Sequence, residues 1–551
     1  MKLPRKAGIL LHVTSLPCSD GIGTFGKCAF DFVNFLSESK ISLWQVLPLG
    51  PTGYGDSPYQ SFSTFALNPL LIDFEDLCDK GWASKKDIKP QKWIKKSGAV
   101  DYGAVTYWKN GALKKIAEKF LKAITNPDGE KDLPSLDSDE ILEIKSNFFT
   151  FCRENLFWLK DYAAFMSIKN FYDEKAQKQR EETNQDVNGS WTSFWPEKLA
   201  CHDQNEVEKW INSHTEEFLQ TEAIQFFAFT QWKELHEYAK SKNVGIIGDI
   251  PIFVSPDSSD VWANQNLFQI DENGEFENVA GVPPDYFSAT GQLWGNPLYD
   301  WQKMKSSNYE WWILRIKKSL ELYDWLRIDH FRGFDTYWAI PFGSENAVGG
   351  EWKKGPGKEF FDAVKKELGD LPLIAEDLGE ITDDVRKLRD DCEFPGMKIL
   401  QFAFDKNEYN AGGMKNAFLP HSYENANCVC YTGTHDNYTT QGWFETLNDE
   451  MISLVASYVK GEKVSAEKAR AMQKSGELCR SLVRLAFSST ASFAVIPLQD
   501  LYCVGDEGRM NAPGTSGSNW AWRAEKNMIE GSPKSKKIKS WLEELSRLYN
   551  R

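Results

Sequence analysis

The stretch YDWLRIDHFRG, residues 323–333, combines the apolar residues of a buried strand with a dense set of ionisable side chains. Apolar residues alternate with Arg327 and Asp329, and His330 follows at once. Because residues i and i+2 of a strand point to the same side, Arg327 and Asp329 share one side while the apolar residues pack on the other. The stretch therefore predicts a covered strand that carries an Arg–Asp pair at its end.

Seven further stretches of the chain are short, mostly apolar, and rich in β-branched or aromatic residues. They are GILLHV (8–13), LWQVLPL (43–49), VGIIGDI (244–250), LPLIAED (371–377), KILQFAF (398–404), NCVCYTG (427–433) and SFAVIPL (492–498). Stretches that are apolar on both faces are typical of a parallel sheet covered on both sides. Helical patterns lie between them, so the sequence predicts an α/β fold, a (β/α)8 TIM barrel.

The predicted strands are unevenly spaced, which indicates large insertions in the βα loops. We interpret residues 55–240 as a mostly helical insertion after the second strand. Residues 251–322 are interpreted as an insertion over the active site after the third strand, with a hairpin at IDENGEFEN (270–278) and its Asn-Gly turn. Residues 1–551 are thus expected to form one catalytic barrel.

Composition narrows the possible partners. The net charge of −15 argues against nucleic acid, because phosphate binding needs clustered Lys and Arg. No run of 18 apolar residues occurs, so no membrane association is expected.

The ten cysteines are scattered without a CxxC pair, which favours a reduced, cytoplasmic protein. There is no compact Cys/His cluster, so neither a metal nor another cofactor is expected, and the oligomeric state stays open.

Carboxylates recur where the predicted strands end. Asp249 ends the third strand, Asp329 the fourth, Glu376 and Asp377 the fifth, and Asp436 follows the seventh. The carboxyl ends of barrel strands are where such folds keep their active sites. A cluster of carboxylates predicts glycoside chemistry, in which retention uses one carboxylate as nucleophile and one as general acid/base. The strand pattern alone does not choose between Glu376 and Asp377.

Long motifs along the chain are specific to one family. They are GILLHVTSLP (8–17), GPTGYGDSPYQSFSTFALNP (50–69), GDIPIFV (248–254), VPPDYFSATGQLWGNPLYDW (282–301), RIDHFRG (327–333), IAEDLG (374–379), GTHDN (433–437) and EGRMNAPGT (507–515). Through them the chain resembles, nearly from end to end, the 4-alpha-glucanotransferases of the alpha-amylase clan, also called amylomaltases or disproportionating enzymes. The resemblance implies retaining transfer of an alpha-1,4-glucan segment from a maltooligosaccharide or starch-like donor to the 4-hydroxyl of an acceptor glucan or glucose.

The resemblance also implies a role for each matching residue. Asp329 matches the nucleophile, Glu376 the general acid/base and Asp436 the stabiliser of the transition state. The positions that match the family's glucan-binding residues are Ser57, Tyr59, Asp249, Gln292, Trp294, Arg327, His330, Asp377, His435 and Asn511. The chain departs from the family at Thr24 and Tyr438, where an acid is common, and we expect Tyr438 to affect affinity or acceptor preference.

Three other functions compete with the transferase as interpretations of this sequence. GIGTFG (21–26) fits the pattern GxGxxG of a dinucleotide oxidoreductase, but TSLPCSD (14–20) separates it from the first strand, which disfavours that interpretation. A glucan-binding protein without catalysis would lack one of the three carboxylates, and all three are present in this sequence. An alpha-glucan hydrolase of the same clan shares the first chemical step and differs only in letting water intercept the intermediate.

Overall fold

The protein is described by a computed structural model that covers residues 2–95, 97–126, 133, 136–271, 274–284, 288–405, 413–515 and 517–551. Its strands are β1 Lys6–Leu10, β2 Leu43–Gln45, β3 Gly245–Pro251, β4 Asn278–Val282, β5 Gln292–Pro297, β6 Trp325–Asp329, β7 Thr336–Pro341, β8 Glu351–Lys354, β9 Leu373–Ala375, β10 Gly396–Ile399, β11 Cys428–Tyr431 and β12 Phe493–Pro497.

The helices of the first half are α1 Lys27–Glu38, α2 Phe74–Asp79, α3 Tyr102–Thr125, α4 Ser138–Glu154, α5 Leu156–Thr183, α6 Glu197–Ala200, α7 Gln204–Ser213, α8 Thr215–Ser241, α9 Ser259–Ala263, α10 Trp301–Ser306 and α11 Glu310–Leu322. Those of the second half are α12 Gly357–Leu368, α13 Asp383–Asp391, α14 Leu400–Ala403, α15 Thr440–Thr446, α16 Asp449–Lys460, α17 Ala466–Lys474, α18 Glu477–Ser488, α19 Leu498–Leu501, α20 Lys526–Ile529 and α21 Pro533–Tyr549. Among the described residues, none of these helices combines the length and apolar composition needed to cross a bilayer.

Eight parallel strands form the barrel, in the order β10-β11-β12-β1-β2-β3-β6-β9. The two ends of this order meet, because the amide of Ala375 in β9 donates a hydrogen bond to the carbonyl oxygen of Pro395, just before β10, at 2.9 Å. Each of the eight apolar stretches supplies one of these strands. The predicted (β/α)8 barrel is confirmed.

The sixth barrel strand differs from its predicted stretch. The apolar run 398–404 is not one strand: β10 begins earlier, at Gly396, and ends at Ile399, and α14 follows directly. The turn is stabilised by Gln401, whose Nε2 donates to the carbonyl oxygen of Tyr438 at 2.9 Å. An apolar run alone does not distinguish a buried strand from a buried helical turn.

Residues 55–240 contain the helices α2 to α8, and two buried glutamines of α8 hydrogen-bond to the backbone near the start of this region. The side-chain amide of Gln225 exchanges two hydrogen bonds, both 2.9 Å, with the backbone of Leu67. Gln231 does the same with the backbone of Asp73, at 2.8 and 2.9 Å. Such paired bonds satisfy buried backbone groups that have no strand partner. We propose that this region acts as an insertion on one catalytic unit.

A second sheet lies beside the barrel mouth. It is antiparallel, with the order β5-β4-β7-β8. The predicted insertion 251–322 supplies β4 and β5, but β7 and β8 come from residues 336–354, beyond its expected end. An antiparallel bridge between Ile270 and Phe276 indicates the predicted hairpin, whose tip, 272–273, lies outside the described residues.

One pair of cysteines departs from the expected reduced state. Cys18 and Cys28 form a disulfide with their Cα atoms 5.7 Å apart. The loop after β1 folds back onto the first turn of α1 and brings these two cysteines together, although no cysteine motif in the sequence pairs them. The other eight cysteines are free.

Candidate active site

Adjacent barrel strands bring the predicted catalytic residues to one mouth. In the register of β3 and β6, Asp249 lies opposite Arg327, and in that of β6 and β9, Ile328 lies opposite Ala375. Asp329 at the end of β6 and Glu376 just after β9 are therefore neighbours. The carboxyl ends of the strands meet here, as expected for a barrel active site.

Arg327 connects two of the carboxylates. Its Nη1 donates to Oδ2 of Asp249 at 2.6 Å, and its Nη2 donates to Oδ1 of Asp329 at 2.8 Å. Burial alone lowers the pKa of a guanidinium, but the charges of Asp249 and Asp329 raise the pKa of Arg327 above its ordinary value. The planar fork thus remains a cation and fixes the direction of the Asp329 carboxylate.

Asp249 is buried beneath this pair. Its Oδ2 also accepts a hydrogen bond from the Tyr59 hydroxyl at 2.8 Å. Burial raises the pKa of Asp249 to about 6, although the neighbouring Arg327 acts to lower it. Asp249 therefore orients Arg327 and Tyr59 from below.

Glu376 is placed to hold a proton. Its Oε2 accepts from the backbone amide of His330 at 2.8 Å, and its Oε1 accepts from the amide of Leu378 at 3.1 Å. Burial, followed by the negative charge of Asp329, raises the pKa of Glu376 to about 8. These effects outweigh Arg327 and the amide of His330, which favour the charged form, so the carboxyl is protonated at neutral pH.

Asp436 has the opposite protonation preference. Its Oδ1 accepts from Nδ2 of Asn511 at 2.7 Å, and its Oδ2 lies 3.3 Å from Nε2 of His435. Burial acts to raise its pKa, but the charge and hydrogen bond of His435, with that of Asn511, lower the pKa of Asp436 to about 2. Asp436 therefore stays ionised across the physiological range.

Flat rings line the mouth. The ring of Tyr59 stacks on that of His435 with centroids 5.2 Å apart. The Trp294 indole meets the His330 ring at 4.8 Å and nearly at right angles, and its Nε1 donates to Oε1 of Gln292 at 3.1 Å. Aromatic walls with a few placed polar groups are typical of sites for small polar ligands.

His330 turns the chain at this point. It adopts a left-handed conformation, with φ of 53°, which aims its amide at Glu376. Burial lowers the pKa of its imidazole to about 4. The ring is therefore neutral at pH 7, as a hydrogen-bonding partner for a neutral sugar should be.

Ser57 and Asp377, two further residues predicted to bind glucan, are held by backbone and side-chain contacts nearby. Ser57 lies on the Tyr59 loop, and its Oγ accepts from the Tyr59 amide at 3.3 Å. Asp377 is not brought into the cluster: Arg389 donates to its Oδ2 and the amide of Met397 donates to its Oδ1. Because Asp377 follows Glu376, its side chain points the other way, and its glucan-binding role stays a prediction.

Sequence reasoning missed Arg509. Its Nε donates to the carbonyl oxygen of Asn511 at 2.9 Å, and its Nη2 donates to that of Asp436 at 3.2 Å. Its guanidinium also lies 4.0 Å from the ring centroid of Tyr438. Arg509 stands in the motif EGRMNAPGT, so a signal was present. Trp520, whose ring lies 5.8 Å from that of Tyr59, has no motif to reveal it.

The two departures from the family fall in different places. Thr24 is buried outside the cluster of Asp249, Asp329, Glu376 and Asp436. Its hydroxyl donates to Oδ2 of Asp73 at 2.6 Å. Tyr438 is covered on one side by Arg509, which supports Asp436 and Asn511. Of the two, Tyr438 therefore has the contact that reaches the site.

The carboxylates are arranged for acid–base and nucleophilic chemistry. Within the described ranges, no group of three or more His, Cys, Asp or Glu side chains is placed to hold a metal ion. Arg327, backbone amides and Asn511 engage the carboxylates instead. Residues 285–287, in the loop before Gln292, lie outside the described part of the chain.

Comparisons with known proteins agree with this geometry. A family model described as 4-alpha-glucanotransferase matches residues 11–528. A 4-alpha-glucanotransferase of Synechocystis sp. is 43% identical over 526 residues, 94% of each chain, and one of Thermus thermophilus is 42% identical over 525 residues, 95% of each. The solved amylomaltase from Streptococcus agalactiae, in complex with acarbose, superposes with a TM-score of 0.86 at 36% identity and covers 99% of both chains. Fold, strand-end carboxylates and relatives agree, and the chain belongs to the 4-alpha-glucanotransferase family.

Proposed function

We propose that this protein transfers alpha-1,4-glucan segments between maltooligosaccharides, with Asp329 as nucleophile, Glu376 as general acid/base and Asp436 as stabiliser of the transition state. The observation that carries the proposal is the contrast between two neighbouring carboxyl groups. Glu376 holds a proton at neutral pH, while Arg327 aims the Asp329 carboxylate beside it. A buried carboxyl that keeps its proton beside a carboxylate aimed by a guanidinium can serve as the general acid.

In the first step, an oxygen of Asp329 attacks the anomeric carbon of the donor. The proton of Glu376 passes to the glycosidic oxygen as its bond to that carbon breaks, and the leaving glucan departs with a free 4-hydroxyl. Asp436 stays ionised and is placed to stabilise the positive charge that develops on the sugar. The product is a glycosyl ester of Asp329.

The second step uses the same groups in reverse. Esterification removes the charge of Asp329, which is one cause of the raised pKa of Glu376. The pKa of Glu376 therefore falls in the intermediate, and the carboxylate accepts the proton of an acceptor 4-hydroxyl. The acceptor oxygen then attacks the anomeric carbon and frees Asp329, so two inversions give net retention.

The side chains that line the site suit a neutral sugar as ligand. Tyr59 and Trp294 offer flat faces, and Arg327, His330, His435 and Asn511 offer hydrogen bonds, so we propose maltooligosaccharides and longer alpha-1,4-glucans as ligands. We also propose a cytoplasmic location, and fractionation of the source cells tests it.

The test of the activity is the product profile from maltotriose. We expect glucose together with longer glucans, and almost no rise in total reducing ends, because transfer passes the cleaved anomeric carbon from one 4-hydroxyl to another and never frees it. A hydrolase would raise reducing ends in step with glucose release. That outcome would replace the transferase with the alpha-glucan hydrolase.

A further inference from the structure

Cys503 is set apart from the other free cysteines by a guanidinium and a second thiol that flank its sulfur. It follows α19 and adopts a left-handed conformation, with φ of 49°. Nη1 of Arg480 donates to its sulfur at 3.8 Å, and the sulfur lies 3.5 Å from the carbonyl oxygen of Gly476, just before α18. A neighbouring guanidinium favours the thiolate over the thiol, and the thiolate is the nucleophile.

The second thiol belongs to Cys479, in the first turn of α18. Its sulfur lies 3.3 Å from the carbonyl oxygen of Asp500 and hydrogen-bonds to the sulfur of Cys503. This hydrogen bond, with the charge of Arg480, lowers the pKa of Cys503, although burial and the charge of Asp500 act to raise it. The same hydrogen bond, with burial, raises the pKa of Cys479. The two thiols are therefore in contact and differ in acidity.

The two sulfurs also differ in access to solvent. Cys503 is partly exposed and lines a groove of about 1760 Å³ between the loop after β1 and the segment after β12. Cys479 is fully buried. A small oxidant can therefore reach the Cys503 sulfur from the groove, while Cys479 contacts that sulfur from the interior. An accessible, acidic thiol beside a second thiol is the arrangement of a redox-sensitive cysteine pair.

We propose that Cys503 and Cys479 form a reversible dithiol site whose oxidant is a hydroperoxide. The Cys503 thiolate attacks one oxygen of the hydroperoxide, the O–O bond breaks, and the sulfur becomes a sulfenic acid while hydroxide or alkoxide leaves and takes a proton from solvent. The Cys479 thiol then attacks the Cys503 sulfur, the S–O bond breaks, and the sulfenic oxygen leaves as water. A dithiol reductant reverses the oxidation by thiol–disulfide exchange.

The first experiment is a brief exposure of the native protein to limiting iodoacetamide at pH 7, with labelled peptides quantified by mass spectrometry. Exposure alone predicts that Cys201, the exposed residue among the free cysteines, reacts first. We expect Cys503 to react about tenfold faster than Cys201, or more, because the thiolate is the reacting form. Arg480→Gln should slow the labelling of Cys503 and leave that of Cys201 unchanged. Arg480→Lys, which keeps a cation, should recover part of the rate.

The second experiment treats the native protein with hydrogen peroxide and maps its disulfide-linked peptides. We expect a Cys479–Cys503 disulfide that dithiothreitol removes, and in Cys479→Ser a sulfenic acid at Cys503 that dimedone traps. The proposal is overturned if Cys201 is labelled at least as fast as Cys503, or if peroxide produces no Cys479–Cys503 disulfide. It is also overturned if Cys503 pairs instead with Cys18 or Cys28, which line the same groove. The parent protein alone decides these outcomes, and none of them depends on glucan transfer.

Discussion

At the scale of single residues, the site depends on carboxyl groups that differ in protonation although they share one mouth. The pKa of Glu376 is raised to about 8 by burial and by Asp329, whereas the partners of Asp436 lower its pKa to about 2. Because Asp329 loses its charge in the intermediate, the same environment makes Glu376 an acid first and a base afterwards. The change in the pKa of Glu376 between the two steps thus follows from the close spacing of the strand ends that carry Asp329 and Glu376.

The pH dependence of kcat/KM tests this assignment. With maltotriose, we expect kcat/KM to fall as the pH rises through about 8, because the free enzyme must hold the Glu376 proton that it donates. With α-maltosyl fluoride, whose leaving group needs no proton, the alkaline decline should be much weaker. Glu376→Gln should abolish turnover of maltotriose while maltotriose still binds. An equal alkaline decline for both donors would mean that another group titrates.

Arg327→Lys tests the fork that joins Asp249 and Asp329. Lysine keeps the charge but cannot donate to both carboxylates in one plane. We expect kcat to fall tenfold or more, equivalent to about 1.4 kcal/mol or above. Arg389→Lys is the matched control, since Arg389 pairs with Asp377 outside the cluster, and its kcat should stay near that of the parent. If the two variants lose activity equally, the Arg327 pair is only structural.

At the scale of elements, the site depends on how tightly neighbouring barrel strands pack. Gly248 lies in β3, and a Cβ placed on it would stand 2.2 Å from the ring of Tyr323, just before β6. That close approach sets the spacing of the two strands that carry Asp249 and Asp329. Here glycine is required by packing and not by a turn.

Gly248→Ala should therefore destabilise the barrel. Overpacking of this kind costs about 1–3 kcal/mol, and we expect a lower urea midpoint of unfolding. Gly111→Ala is the control, because Gly111 lies on an exposed face of α3 with nothing near its Cβ position. Alanine should stabilise that helix by about 0.5–1 kcal/mol. A Gly248→Ala variant as stable as the parent would show that Tyr323 moves freely.

At the scale of the molecule, insertions from several loops build the walls above the barrel. The loop after β2 supplies Tyr59, the second sheet supplies Trp294, and the segment after β12 supplies Asn511. Transfer requires these walls to hold an acceptor and to keep water from the glycosyl ester. The partition between transfer and hydrolysis is thus a property of the assembled cleft.

Trp294→Ala should shift that partition. Loss of the indole beside His330 opens the wall, so we expect more new reducing ends for each glucose released from maltotriose. Reducing-end and glucose assays on the same reaction give the ratio. Trp93→Ala, at an exposed tryptophan whose ring meets Tyr107 of α3, should leave it unchanged. A ratio that stays constant in Trp294→Ala would assign the exclusion of water to other walls.

The sequence by itself determined the barrel, because covered strands and amphipathic helices leave local patterns of burial. It also placed Asp249, Asp329, Glu376 and Asp436 at strand ends, since position along a strand is local too. The family motifs, and not the strand pattern, selected Glu376 over Asp377.

Only the tertiary structure decided which distant groups meet. It paired Asp377 with Arg389, brought Arg509 to Asp436, joined β7 and β8 to the insertion sheet, and linked Cys18 with Cys28. A local pattern reports which way a side chain points within its own element. Contacts between elements are set by how whole layers pack, and the pKa values of the site follow from those contacts, so neither could be read from local spacing.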